Sequence, residues 1–243
     1  MTKTNQTPES WLQSIQHELG NLADPERAVH SQRFFKTGPG EYGEGDIFRG
    51  IRVPELRKLA RKKQHAPLEV AESLVKSDYH EDRLLGLFML VRKYQKGDDE
   101  TKDWIFRFYL DNREYVNNWD LVDSSAEHII GAQLKSNDLE LLTSLAKSAS
   151  LWDRRIAMLS TFHHIKKGKF HSALILAELL VNDQEDLIQK AVGWMLREIG
   201  NRERMLEEKF LQQHYKHMPR TMLRYAIEKF PEPLRQSYLQ GEI

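Results

Sequence analysis

Apolar residues along this chain recur at three- and four-residue intervals, and runs of alternating β-branched residues are missing. Leu84-Leu85-Gly86-Leu87-Phe88-Met89-Leu90-Val91 and Leu139–Ala146 show the pattern most clearly. Such spacing lays a hydrophobic stripe along one side of a helix, so the chain is expected to be all-α. Short polar breakers separate the stripes: Lys96-Gly97-Asp98-Asp99, Ser136-Asn137-Asp138, Lys167-Gly168-Lys169 and Ile199-Gly200-Asn201. Ser, Asp or Asn at such places accepts hydrogen bonds from the free N–H groups that open the next helix. Residues 36–50 behave differently, with five glycines and a proline in fifteen positions, too many to sustain a helix. Val53-Pro54-Glu55 then reads as a helix start with proline in the first turn.

A repeat lies beneath the periodicity. Arg83-Leu84-Leu85-Gly86, Asn118-Trp119-Asp120-Leu121, Arg154-Arg155-Ile156-Ala157, Gln189-Lys190-Ala191-Val192 and Leu223-Arg224-Tyr225-Ala226 can be set in register. Their marker positions recur roughly every 35 residues, the length of one helical hairpin. Stacked hairpins of this size form solenoids whose inner helices line a concave surface. The expectation is one HEAT-like-repeat domain over 1–243, with N-terminal helices and the Gly-rich loop in 1–50 and the repeats in 51–240. On this register one face collects Trp119, Asp123, Arg155, Lys190, Trp194, Arg197 and Arg224.

Composition narrows the classes. At 243 residues the chain can bury a sizeable core, and a solenoid of this length needs no partner to fold, so a monomer is expected. Cysteine is absent, which excludes disulfides and thiolate metal sites and suits a reducing cytoplasm. The first ten residues hold no apolar core of a secretory signal, and no apolar run is long enough to cross a bilayer. Thirty-six basic residues balance thirty-six acidic ones. That counts mildly against a nucleic-acid binder, yet a neutral chain can still carry a basic face opposite an acidic one.

The candidate chemistry sits at Trp119 and Asp123, one helical turn apart and so on the same side of their helix. The pair also suits a core tryptophan and a turn-capping aspartate. Read functionally, an indole face attracts a cation, and a neighbouring carboxylate stabilises an oxocarbenium ion or holds the water that attacks it. Arg155 and Arg197 have the fork that grips phosphates. Gly193, beside Trp194, would let another backbone or a ligand come close.

These residues carry a resemblance. Asn118-Trp-Asp-Leu-Val-Asp123, Leu151-Trp-Asp-Arg-Arg-Ile-Ala-Met158 and Ile188-Gln-Lys-Ala-Val-Gly-Trp-Met-Leu-Arg-Glu198 resemble the signature blocks of bacterial DNA alkylation repair proteins of the AlkD type, and the likeness runs from Trp11 to Tyr238. It implies a C-shaped all-α solenoid whose concave face holds duplex DNA. It also implies a glycosylase that excises cationic alkylpurines such as 3-methyladenine and 7-methylguanine without flipping the lesion into a pocket. By resemblance, Trp119 and Trp194 pack on the lesion nucleotide's sugar and backbone, and Asp123 is the catalytic carboxylate. Arg155 and Arg197 take the roles of basic residues at the DNA backbone. Phe34 stands where the family's studied members have a tyrosine, which keeps a stacking surface and loses a hydroxyl. The Gly-rich loop looks longer than its counterpart, and its Tyr42 is a candidate substitute contact. Such chemistry needs no metal or organic cofactor, because the lesion's own charge weakens the bond to be cut.

Weaker motifs are set aside. Gly38-x-Gly40-x-x-Gly43 matches a dinucleotide fingerprint in form, but no strand precedes it. His163, His164, His171, His214 and His217 lack carboxylate or cysteine companions at ligand spacing, so they are expected at the surface or between helices. Two rivals stay open: a non-catalytic DNA-binding or scaffold protein of the same architecture, and a protein-binding adaptor.

Overall fold

A computed structural model describes residues 7–243; Met1–Gln6, part of the stretch searched for a signal segment, lie outside the described residues. The described chain is helical. Its only β pairing is one isolated parallel bridge between Ile47 and Tyr79. No described helix is long and apolar enough to cross a membrane.

The first unit ends at Ser125. It holds α1 (Pro8–Leu22), α2 (Pro25–Phe34), α3 (Val53–Lys62), α4 (Leu68–Val75), α5 (His80–Lys96), α6 (Asp99–Asp111) and the start of α7 (Trp119–Ala126). Side chains open several of these helices, but of the four expected breakers only the one at Asp98 supplies such a cap; the helices after residues 136–138, 167–169 and 199–201 open without a side-chain cap. Asp24 accepts from the Arg27 N–H at α2, and Asp98 accepts from the Thr101 N–H at α6. Proline lies in the first turn of α3, where its missing N–H costs no bond. Helix α5 is the hub, buried along most of its length and packed against α3, α4 and α6.

The second unit spans Ala126–Ile243. A π-helical turn, Glu127–Gly131, follows α7. Then come α8 (Glu140–Ala146), α9 (Leu151–Ser160), α10 (Phe162–Ile165), α11 (His171–Leu180), α12 (Asp186–Gly200), α13 (Arg204–His214), α14 (Arg220–Ala226) and α15 (Glu232–Gln240). Here α12 is the hub, packed on α9, α11, α13 and α14. Gly193 shows why: a Cβ there would strike the Met222 carbonyl oxygen of α14. The close approach at this glycine is therefore to another helix's backbone. All five register marks fall within helices, Leu84 on α5, Trp119 on α7, Arg155 on α9, Lys190 on α12 and Arg224 on α14.

The Gly-rich segment is ordered by carboxylates from α5. Glu81, itself buried, accepts the N–H groups of Arg49 (2.8 Å), Gly50 (2.7 Å) and Ile51 (3.1 Å). Asp82 takes the Arg49 guanidinium with two bonds, at 2.6 and 2.8 Å. Gly50 adopts φ +77°, and a Cβ on it would run into the Asp24 carbonyl. Only glycine meets both demands.

Candidate functional site

Helix α7 begins on an unusual foundation. Trp119 is flanked by Asn118 and Asp120, and both neighbours are tied to one buried cluster. Asn118, fully buried, donates to Asp46 at 3.2 Å and accepts the Trp119 N–H at 2.9 Å. Asp120 meets His80 Nε2 at 2.9 Å, and Asp46 meets His80 Nδ1 at 3.1 Å. The Arg83 guanidinium closes the set against the other oxygen of Asp46. His80 is 1% exposed. Burial works against a charge there, but the hydrogen bonds that the ring donates to Asp120 and Asp46 outweigh it and raise the imidazole pKa to about 9. At neutral pH His80 is therefore an imidazolium between two carboxylates. Burial likewise opposes charge on Asp46, and His80 and Arg83 together hold it below the usual carboxylate range.

An aromatic stack extends this foundation outward. His80 lies against Phe48 (4.6 Å) and Phe35 (4.8 Å), and Phe35 stacks on Trp119 with centroids 5.3 Å apart and planes 19° from parallel. Phe34 meets the edge of Trp119 at 6.0 Å and is 61% exposed. Phe34 thus presents apolar surface beside the Trp119 edge at the end of its helix. Trp119 and Asp123 are each half-buried, and the four-residue spacing of α7 turns them to the same side. Tyr42, in the Gly-rich loop, is half-buried with the Lys36 ammonium 5.8 Å from its ring.

The other expected site residues belong to the second unit. Lys190, Trp194 and Arg197 share one side of α12, at spacings of four and three. Trp194 is half-buried, donates to Glu198 at 3.4 Å and lies 5.7 Å from Phe162. Arg197 pairs with Glu228, and Lys190 pairs with Asp186 at 2.7 Å. Arg224 is exposed. Arg155 departs from the expected open phosphate grip: it is 5% exposed, and its guanidinium donates to the Leu187 carbonyl in the first turn of α12. Its described bond thus ties α9 to the helix that carries Lys190, Trp194 and Arg197.

Several histidines also find their places. His164 is buried between the Leu134 carbonyl (3.0 Å) and Ser172 (3.4 Å), and His214 faces Glu178 at 2.7 Å. His163 is pressed down to about 4, by burial first and by Lys167 next. No described group of three or more His, Asp or Glu side chains gathers as a metal site would. The residues that sequence reasoning missed are His80, Asp46 and Arg83. Nothing in their local sequence marks them, since their partners lie 34 to 40 residues away.

Comparison with known proteins places the chain in a family. The family model described as DNA alkylation repair enzyme matches residues 15–230. The chain belongs to that family. A solved structure titled a predicted DNA alkylation repair enzyme, from Enterococcus faecalis, is similar with TM-score 0.66 and 18% identity, covering 86% of this chain and 97% of that one. The crystal structure of AlkD2 from Streptococcus mutans is similar with TM-score 0.55 and 18% identity, covering 91% and 98%. At such identity these two likenesses speak for the shared helical-repeat fold. No curated protein matches the sequence.

Proposed function

We propose that this repair-family protein is a DNA glycosylase that hydrolyses the bond between deoxyribose and a positively charged alkylated purine in duplex DNA. The observation that supports it most is the side of α7: Trp119, backed by Phe35 and edged by exposed Phe34, with Asp123 one turn further on. An aromatic face next to a carboxylate favours a cation, and the reaction begins and passes through cations. The alkylated purine departs neutral, taking the bond's electron pair, so little proton donation is asked of the protein. The sugar left behind is oxocarbenium-like. Asp123 would stabilise that charge and orient the water that adds to the anomeric carbon, as carboxylates do in glycoside cleavage.

Trp119 would pack against the lesion nucleotide's sugar, and the buried His80 cluster fixes the indole from below. Phe34 would add apolar surface at the same edge. In the second unit Trp194 offers a further indole, while Lys190 and Arg197 are the candidate phosphate partners. Arg155 acts in this reading by setting the start of α12.

The test is release of free 7-methylguanine and 3-methyladenine from methylated duplex DNA. Asp123→Asn is expected to slow release by about 10²–10³-fold, the usual cost of removing a group that meets developing charge. Equal release by both proteins would take Asp123 out of the chemistry. No release by the unaltered protein would retire the glycosylase reading in favour of binding alone.

A further inference from the structure

A second polar feature of the first unit lies apart from α7. A cavity of about 330 Å³ opens where the α3–α4 turn meets the last turn of α5 and the first turn of α6. His65, Arg92, Lys93 and Lys96 line it, together with Gln64 and Thr101, and no carboxylate does. Several buried or half-buried cationic side chains elsewhere in the protein meet an acid, as Arg49 meets Asp82, Arg83 meets Asp46 and Arg154 meets Asp183. Around this cavity they do not. Among the described residues neither Arg92 nor Lys93 has a carboxylate within ion-pair distance, and the Arg92 Nε–H is buried with no hydrogen-bond partner. Lys96 spends one proton on the Gln64 carbonyl oxygen at 3.0 Å, which leaves the Gln64 amide N–H groups free to donate.

Lysines in the last turn of α5 also offset that helix's carbonyl end. This accounts for some of the charge, but not for a buried guanidinium N–H left unpaired or for a histidine and an amide turned to the same hollow. An unmet buried donor costs about 1–3 kcal/mol, and an acceptor held in the cavity would relieve that cost at Arg92. The nearby acids are otherwise engaged: Asp98 caps α6 through the Thr101 N–H, and Glu69 reaches Lys93 only at longer range. Burial holds the Lys93 ammonium below the ordinary lysine range, with Glu69 only partly opposing, as expected for a cation short of a counter-ion.

We propose that this cavity is an oxyanion site that binds a phosphate group, with Arg92, Lys93 and Lys96 as charged partners and Gln64, His65 and Thr101 as donors around them. The shared chemistry is a tetrahedral phosphate, whether a diester of the DNA backbone or a free inorganic ion. Neither Trp119 nor Asp123 takes part, so the site stands or falls separately from the glycosylase reading.

The full-length protein, isotopically labelled, is titrated with inorganic phosphate and, separately, with an undamaged DNA duplex, while amide and Arg92 Hε resonances are followed. Phosphate is expected to shift residues 64–68 and 92–101 saturably and to raise the Lys93 pKa. Arg92→Gln and Lys93→Gln should each weaken that response roughly tenfold, as the loss of a charged hydrogen bond does. Circular dichroism and Tm check that each variant is folded, and Lys93→Gln stands in should the arginine variant fail. If the backbone is the source, duplex DNA moves the same resonances and competes with phosphate. If the free ion is the source, the duplex leaves them unmoved while phosphate still binds. A flat phosphate titration, or equal binding by Lys93→Gln, overturns the proposal.

Discussion

His80 in the first unit and Glu207 in the second are both buried ionisable side chains in the first turn of a helix, and they solve burial in opposite ways. His80 keeps its charge because Asp46 and Asp120 were brought to it from other elements. Glu207, 2% exposed, has no such help. Of its two nearest cations, Arg204 is turned to Glu208 and to the Phe230 ring, and Arg197 is paired with Glu228. Gly200 leaves room for the carboxyl, whose Oε1 is buried without a hydrogen-bond partner. Burial therefore pushes Glu207 up to about 8, with Arg204 only partly opposing, and it stays a neutral acid at pH 7. Helix N-termini favour anions by at most about 1 kcal/mol at ordinary sites, which is too little to reverse that outcome. Partners, and not position in the helix, decide the charge state.

Both groups make the fold less stable as pH rises, in different windows. His80 contributes fully below its ordinary value of 6.5 and loses its contribution as pH climbs through about 9. The unfolded chain gives up that proton earlier than the folded one. Glu207 is neutral in both states below 4.5, after which the unfolded chain ionises and the folded one resists until about 8. At about 1.4 kcal/mol per pKa unit, the effect is roughly 3 kcal/mol for His80 and roughly 5 kcal/mol for Glu207.

The contrast is broken most severely by His80→Ala. It removes the cation between buried Asp46, which keeps Arg83 and Asn118, and half-buried Asp120, and urea unfolding should show a loss of about 3–5 kcal/mol. A loss under about 1 kcal/mol would mean that the cluster is not the foundation of α7. Next comes Glu207→Gln, measured by Tm from pH 4.5 to 9. The variant should match the unaltered protein at the acid end and exceed it by roughly 3–5 kcal/mol near pH 9, because the amide never has to ionise. A constant difference across that range would place the titration elsewhere. Arg107→Ala serves as the small case. Its pair with Asp103 on α6 is exposed, and the expected change is below about 0.5 kcal/mol.

Much of the architecture was legible because helices are written locally. The breakers at Asp98 and Gly168, the proline at residue 54 and the register of Leu84, Trp119, Arg155, Lys190 and Arg224 need only neighbours within a turn or two. The Gly-rich segment was legible as a connector but not as a fastened one. Glu81 and Asp82 look like ordinary acids in a helix's first turn, and only the fold shows that they face Arg49, Gly50 and Ile51. The site divides the same way. Trp119 and Asp123 share a side of α7 by spacing alone, whereas His80 carries no local sign of its two aspartates. Arg155 shows the converse limit. An arginine in a polar stretch reads as exposed, and here the Leu187 carbonyl is near enough to satisfy it inside.

The carboxylate of Glu81 has a consequence for how the chain is assembled. Three successive amides wait on an acceptor that lies 30 to 32 positions downstream. During synthesis, a nascent chain that stops short of residue 81 can coil its early helices yet cannot close the segment between them. Protection of the Arg49, Gly50 and Ile51 amides from solvent hydrogen therefore tracks the formation of a helix that emerges later.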